Sequence, residues 1–405
     1  MSVTVSGDPV VFDPYSDDYF DSPFETYRRM RDEAPLYYSE KYDFWALTRY
    51  EDVSAAIRDH ETFSSAKGVT LDMVKAAAKG ESPIGKIIIS LDPPEHERMR
   101  KLVNRVFTPR AVASLESLVR ETIDRYASRL DPSSFDAVED FAALFPVEVI
   151  TSMLGVPADD RQQLRHWLDK GLERNEGIGM SADSMDAVMK SGAYYYELIQ
   201  ERRKTPRDDM ISRLIEAEIV EDGETRRLDD IEITGFCTML GGAGAETVTK
   251  LVGNAVVVFA DNPEQWQRLQ DDRSKIPAAF EELLRYEGPS QYQIRTPTRD
   301  VTLHGRTIPA GDPVLLINGA ASRDERFFPD ADHFDIDRQR TVGYNLNFGY
   351  GIHSCLGAAL ARMEGRMALD TLLDLIPLYD IDRSGLRRVH MTNVLGWCNV
   401  PVRMP

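Results

Sequence analysis

The residues best able to do chemistry lie in Phe348-Gly349-Tyr350-Gly351-Ile352-His353-Ser354-Cys355-Leu356-Gly357, which runs into Ala358-Ala359-Leu360-Ala361-Arg362-Met363-Glu364. Glycines, then a cysteine, then an alanine-rich run read as a tight loop feeding a helix N-terminus. The unpaired N–H groups and positive dipole end of such a terminus stabilise a negative sulfur. Cys355 is therefore expected to have a lowered pKa and to ligate a soft or polarizable metal centre. Gly349 and Gly351 permit positive φ, and Gly357 leaves room for something flat against the helix. A cysteine in a glycine-rich turn is more often just a small buried hydrophobe, so the spacing has to carry the argument.

That spacing, F-G-x-G-x-H-x-C-x-G, resembles the haem-binding loop of the cytochrome P450 family. The resemblance implies that Cys355 is the axial thiolate ligand of haem b, pushing electron density toward iron to favour O–O cleavage. It also implies that Phe348 shields the sulfur, that His353 contacts a propionate, and that Gly349 and Gly357 border the haem. In Asp92-Pro93-Pro94-Glu95-His96-Glu97-Arg98-Met99-Arg100, His96 and Arg100 are four apart and share a helix face suited to an anion. The family's His-x-x-x-Arg segment identifies that anion as a propionate, and Arg295 corresponds to the second propionate arginine. Gly241-Gly242-Ala243-Gly244-Ala245-Glu246-Thr247 lies inside a helical stretch, where each glycine costs ~1 kcal/mol relative to alanine and so needs a reason. Close packing against a planar group is one; local opening, with the Thr247 hydroxyl reaching the Ala243 carbonyl, is another. The segment looks like the family's oxygen-activation motif. By resemblance, Ala243 and Gly244 contact haem and the acid–alcohol pair Glu246 and Thr247 delivers protons to dioxygen.

Positioning these groups requires a frame. Asp229 and Asp230 open a helix that continues to Ala260 before Asp261-Asn262-Pro263, roughly 48 Å at about 1.5 Å per residue. Glu282 and Arg285 are three apart on one helix face. The family joins such a pair to a further arginine, matched here by Arg338, in a buried network supporting the haem loop. Ser22–Ala34 and Tyr50–Phe63 have helical periodicity, with two short strands between them at Leu36–Tyr38 and Phe44–Leu47. Val112–Arg203 reads as a run of helices, and Asp300–His304 with Thr307–Pro309 as a strand pair about Gly305. The apolar loop Gly68–Ile89 is either packed irregular structure or, as in the resembled family, the cover over substrate. Arg174–Ala187 reads as a mobile connection over the entrance. Candidate pocket residues are Val74, Ile88, Gly242, Gln291, Gln293 and Val394; whether Gln291, Tyr292 and Gln293 face the pocket or the strand edge is left open by the sequence.

The expected fold is mainly α with a minor β region, a triangular helical body crossed by a long central helix, with residues 1–405 as a single domain. A net charge of −19 argues against nucleic acid and anionic membranes as partners. The N-terminus lacks a basic region followed by an apolar one, and no apolar run reaches the ~18 residues a spanning helix needs. Three scattered cysteines, Cys237, Cys355 and Cys398, give no disulfide framework and fit a reducing cytoplasm, and Cys237 and Cys398, among apolar neighbours, are expected in the core.

The resemblance implies a soluble bacterial-type monooxygenase, a monomer, inserting one oxygen atom of O₂ into a small-to-medium, largely apolar substrate by hydroxylation, O-dealkylation or epoxidation. No flavin or nicotinamide fingerprint is present, so electrons are expected from a ferredoxin and an NAD(P)H-dependent ferredoxin reductase. Arg98, Lys101, Arg105, Arg110, Arg362 and Arg366 would form the docking patch. A peroxide-using haem-thiolate enzyme is disfavoured by the intact Glu246–Thr247 pair, and a haem-based gas sensor by the lack of a leftover signalling segment.

Overall fold

The computed structural model describes residues 8–80, 87–104, 107–174, 179–221, 224–339, 345–391 and 393–404. Helices dominate, and one organises the rest: the central helix Asp230–Asp261, 32 residues long. Its start is fixed by a reciprocal box, in which the Asp229 carboxylate accepts from the Glu232 N–H at 2.7 Å and Glu232 accepts from the Asp229 N–H at 2.9 Å. Such a cap contributes ~1 kcal/mol and sets the register of everything downstream. Asp230 is the first helical residue, and its carboxylate pairs with Arg203 instead of capping.

From Ala245 to Phe259 the helix is buried on nearly every face, because other helices surround it. By length and composition it could span a membrane, but 78% of its most apolar window is buried inside the protein. Two of its glycines owe their place to close approach. A Cβ on Gly241 would sit 2.6 Å from the Tyr195 hydroxyl, and one on Gly244 would sit 2.7 Å from Ile150. The glycine cluster thus lets the Phe145–Leu154 and Ala182–Lys204 helices press against the central one. The Thr247 hydroxyl donates to the Ala243 carbonyl at 3.1 Å.

The minor β region is a five-stranded sheet in the order Leu36–Ser39, Phe44–Leu47, Val314–Leu316, Gln293–Pro297, Phe63–Ser64. Val314 pairs with Trp45 in parallel and with Arg295 in antiparallel register, which seats Arg295 in the middle of the sheet. Val301–Leu303 and Arg306–Ile308 form the expected hairpin, with His304 and Gly305 both at positive φ.

Several expectations need correction. The helix expected from Ser22 runs Phe24–Glu33; Ser22 instead ends a preceding helix, Asp17–Asp21. The helix from Tyr50 stops at Arg58, since Phe63–Ser64 joins the sheet. The Gly68–Ile89 loop contains a helix, Leu71–Ala78, whose apolar residues Leu71 and Val74 pack into an N-terminal aromatic cluster; its residues 81–86 lie outside the described ones. The helical run after Val112 is broken by a strand, Ser134–Asp136, paired to the C-terminal Pro401–Arg403. In the stretch Arg174–Ala187, residues 175–178 lie outside the described ones; Arg174 is buried and paired to Asp72 at 3.0 Å, and Ala182 onward is regular helix, and the expected mobility is left as it stands. Cys398 is only half-buried, on a short strand, whereas Cys237 is fully buried.

The Glu282 carboxylate accepts from Arg285 at 2.7 and 2.9 Å and from Arg338 at 3.0 Å, with Glu282 and Arg285 buried. Arg285 also donates to the carbonyls of Ser322 and Ala331, and Arg338 to that of His333. One carboxylate is therefore shared by two guanidiniums, whose other donors go to loop carbonyls. Removing it strands both charges. Glu282→Ala is expected to destabilise the protein by about 3–5 kcal/mol, and Glu282→Gln, which keeps acceptor oxygen and volume, by less. Chemical denaturation checks this; equal and small losses would mean that the charge contributes little.

Candidate active site

The Cys355 loop is held in a shape that few sequences can adopt. Gly349 (φ 64°) and Gly351 (φ 71°) occupy the left-handed region, and the Cys355 N–H donates to the Phe348 carbonyl at 2.7 Å, closing the turn. The Ala358–Leu375 helix starts two residues past Cys355's neighbour Leu356, with Gly357 as its cap. The loop is bolted to the Ile276–Glu287 helix: the Asn347 amide donates to the Leu284 carbonyl at 2.6 Å and that of Asn345 to the Glu281 carbonyl at 3.2 Å. Arg362 grips the Glu281 carboxylate at 2.5 and 3.2 Å and lies 4.5 Å over the Phe348 ring.

Across from Cys355 an apolar cavity opens onto the central helix. Its wall includes Ala243, Gly244 and Thr247 on one side and Phe348, His353, Cys355 and Gly357 on the other, with Ile88, His96 and Arg100 at the rim. Aliphatic and aromatic side chains such as Ile89, Phe107, Ile150, Leu240, Val248 and Phe280 complete it. No atom lies within 4 Å of where a Gly357 side chain would begin, so a flat group can lie against this turn.

The electrostatics at the rim are lopsided. His96 is 1% exposed and neither ring nitrogen has a hydrogen-bond partner among the described residues; its ring meets His353 edge-on at 4.4 Å. No hydrogen bond or ion pair among the described residues engages the Arg100 guanidinium. Burial, with Arg295, His96 and Arg100 nearby, lowers the His353 pKa to about 3, and its Nε2 faces the Ser65 hydroxyl at 3.2 Å. Burial lowers that of Arg295 to about 10. Two guanidiniums and two neutral imidazoles thus converge with a deficit of negative charge, as a group bearing carboxylates would require. A planar cofactor with two acid chains fits this donor set and the flat space by Gly357.

The Cys355 side chain is exposed toward the cavity; the protein packed around it raises the thiol pKa by desolvation, while the Gly357 N–H, Arg100 and Arg362 lower it. The N–H at the helix end thus acts in the direction expected from the sequence, and coordination to a cation is what would deprotonate the sulfur outright.

Not every expected residue reaches the cavity. Glu246 is buried behind its wall, with Lys250 3.2 Å from its carboxylate. Arg295 spends donors on the Ile294 carbonyl and Gln293 Oε1, and Gly349 shapes the turn without being part of the wall. Among the pocket candidates only Ile88 lines the cavity. Val74 is occupied by the aromatic cluster, and Gly242 faces Leu168. Gln291 donates to the Gly288 carbonyl, Gln293 holds Arg295, and Val394 stands behind Ser290, its bridge partner on the wall. Tyr292 is buried beside Tyr19. Sequence reasoning missed Glu364, buried on the wall without a partner for Oε1, and Lys250, whose position four residues after Glu246 could have revealed it.

A sequence profile described as Cytochrome P450 matches residues 179–376. The chain is 42% identical over 405 residues to a Mycobacterium tuberculosis protein designated cytochrome P450 123, covering 99% of each. The chain belongs to the cytochrome P450 family. It is also 35% identical to the erythromycin C-12 hydroxylase of Saccharopolyspora erythraea, over 92% of each chain. It superimposes with a TM-score of 0.85 on a mutant of P450 EryK in complex with erythromycin B, at 34% identity and 95% and 96% coverage. This P450 is accordingly a monooxygenase whose cofactor is haem b, and its fold is the P450 fold.

If the rim cations hold the propionates, Arg100→Ala and His96→Ala should each loosen haem. A lost charge-assisted hydrogen bond contributes about 1.5–3 kcal/mol, so transfer of haem to apomyoglobin should accelerate on the order of ten-fold or more for Arg100→Ala. Transfer rates matching wild type in both variants would place the propionates elsewhere.

Proposed function

We propose that this P450 inserts one atom of O₂ into a largely apolar substrate, with Cys355 as the axial ligand, His96, Arg100, Arg295 and His353 as propionate contacts, and Glu246 and Thr247 as the proton-delivery pair. The whole chain acts as one catalytic domain. The observation that carries this reading is that Cys355 of the loop and Thr247 of the central helix line one apolar cavity. When bound there, haem supplies the binding and reductive activation of dioxygen. The chain's own part is to exclude water with the aliphatic wall and to hold the Thr247 hydroxyl, whose own hydrogen goes to the Ala243 carbonyl, as an acceptor that positions a proton donor at the cavity. The intact acid–alcohol pair favours O₂ over peroxide as the oxidant. The hydroxylase named among the relatives favours hydroxylation over O-dealkylation or epoxidation.

Electrons would come from a ferredoxin with its NAD(P)H-dependent reductase, docking on the face that carries Lys101 and Arg110, both exposed. Arg362 is a weaker docking candidate, because Glu281 already neutralises it. Arg105 lies outside the described residues. Lys101→Glu with Arg110→Glu should slow reduction by an acidic ferredoxin and flatten its ionic-strength dependence; unchanged stopped-flow rates at low salt would move the docking face.

Thr247→Ala deletes the hydroxyl but leaves Cys355, the rim cations and the cavity. The variant should bind haem normally and consume reduced cofactor, while most of the electron flow appears as hydrogen peroxide. Product formation as tightly coupled to electron use as in wild type would remove Thr247 from the proton path.

A further inference from the structure

Lys250 is an expensive residue to keep where it is. It follows Glu246 by one turn of the central helix, its Nζ 3.2 Å from Glu246 Oε2, and the two side chains are 6% and 4% exposed. On a helix surface a glutamate–lysine pair at this spacing is ordinary and stabilises modestly. Taken out of water, such a pair loses about as much in desolvation as its attraction returns, and well-packed apolar residues often serve stability better. Stability therefore does not explain the pair.

The lysine is also seated from outside its own helix. A Cβ on Gly396 would lie 2.6 Å from Lys250 Cβ, and 2.9 and 3.1 Å from its Cγ and Cδ. The bare backbone of Gly396 thus packs along the lysine stem, and its neighbour Leu395 is fastened by its N–H to the Pro289 carbonyl at 2.8 Å. The contact at the far end is one of charge. Glu246 Oε2 is buried and accepts no aligned hydrogen bond among the described residues, so the ammonium acts on it through its field, which is strong where water is excluded. The other charged or titratable groups acting on the pair are Arg165 and Asp169 of the Arg161–Leu172 helix and Cys398 of the Trp397–Asn399 strand. Arg165 and Asp169 pair with each other at 3.2 Å, which leaves Lys250 as the cation matched to Glu246. Burial pushes the Glu246 pKa up; Lys250 is the largest influence against it, and the balance lies below the usual carboxylate value.

We propose that Lys250 is a positioning residue for oxygen activation, its ammonium holding Glu246 as an anion behind the cavity wall so that the acid beside Thr247 returns to the same charge and place in every turnover. To pass a proton, the Glu246 carboxylate takes one up and becomes an acid, then releases it toward Thr247 and becomes the carboxylate again. Lys250 keeps its own protons throughout. The anionic half of this cycle is the difficult one, because a buried carboxylate without a cation beside it neutralises. Lys250 makes that half accessible. Without it Glu246 would stay an acid and release its proton slowly.

This inference rests on the oxygen-activation reading for its role but not for the charge of Glu246, and the experiment separates the two. In the haem-loaded full-length enzyme at neutral pH, the infrared difference spectrum between Lys250→Met and wild type should gain one protonated-carboxyl band; that of buried Glu364 is common to both and cancels. The new band should vanish when Glu246→Gln is added, stay absent in Lys250→Arg, and fade in Lys250→Met as the pH is raised. Should Lys250→Met fail to fold, Gly396→Ala, which displaces the lysine stem and removes no charge, should gain a weaker form of the same band. With a plant-type ferredoxin and its reductase as surrogate donors, Lys250→Met should slow oxygen consumption on the order of ten-fold, and adding Glu246→Gln should slow it little further than Glu246→Gln does alone. No new carboxyl band in either variant, or losses that multiply in the double variant, would overturn the proposal. The band needs no turnover, so its absence defeats the assignment of Lys250 alone, whereas a fully coupled Thr247→Ala defeats the oxygen-activation reading.

Discussion

The molecule is built around one constraint: the sulfur of Cys355 must face the Ala243–Thr247 stretch across a cavity that admits a flat group and little water. A loop cannot hold that position unaided. Two left-handed glycines fold it, the Phe348 carbonyl pins the Cys355 amide, and Asn345, Asn347 and Arg362 fasten it to the Ile276–Glu287 helix. That helix is anchored in turn by Glu282, which ties Arg285 and Arg338 to the surrounding loop carbonyls. Each layer converts a buried polar cost into geometry, since every charge removed from water is matched by a partner that could sit in only one place.

The opposite wall solves a different problem. A long apolar helix gives rigidity, but packing helices closely enough to enclose a cavity needs small residues, which Gly241 and Gly244 provide. The same turn of helix carries one hydroxyl toward the cavity and one carboxylate away from it. Polar groups therefore enter a largely apolar chamber at a few places, among them His96 with Arg100, the Thr247 hydroxyl and the Glu364 carboxyl, and the aliphatic wall between them can take an apolar substrate.

Much of this was legible in the sequence because it is local. Cys355 with its glycines, His96 with Arg100, Glu282 with Arg285 and the Asp229 start of the central helix are patterns of a few residues whose physics is set by spacing. What was not legible depends on which elements meet. Val74 and Gln291 carry the right chemistry for a pocket, but tertiary packing gave the first to an aromatic cluster and the second to the Gly288 carbonyl. The glycines of the central helix suggested a planar ligand, while part of their reason is Tyr195 and Ile150. At Cys355 the helix-end contribution could be read from the sequence, whereas the opposing desolvation depends on packing that the sequence does not show.

The account stands or falls on the ligand. The reduced protein under carbon monoxide should show the strongly red-shifted Soret band of thiolate-ligated haem, and Cys355→His should still bind haem while losing that shift. A wild-type band without the shift, or one that survives the loss of Cys355, would contradict the arrangement on which every other residue here depends.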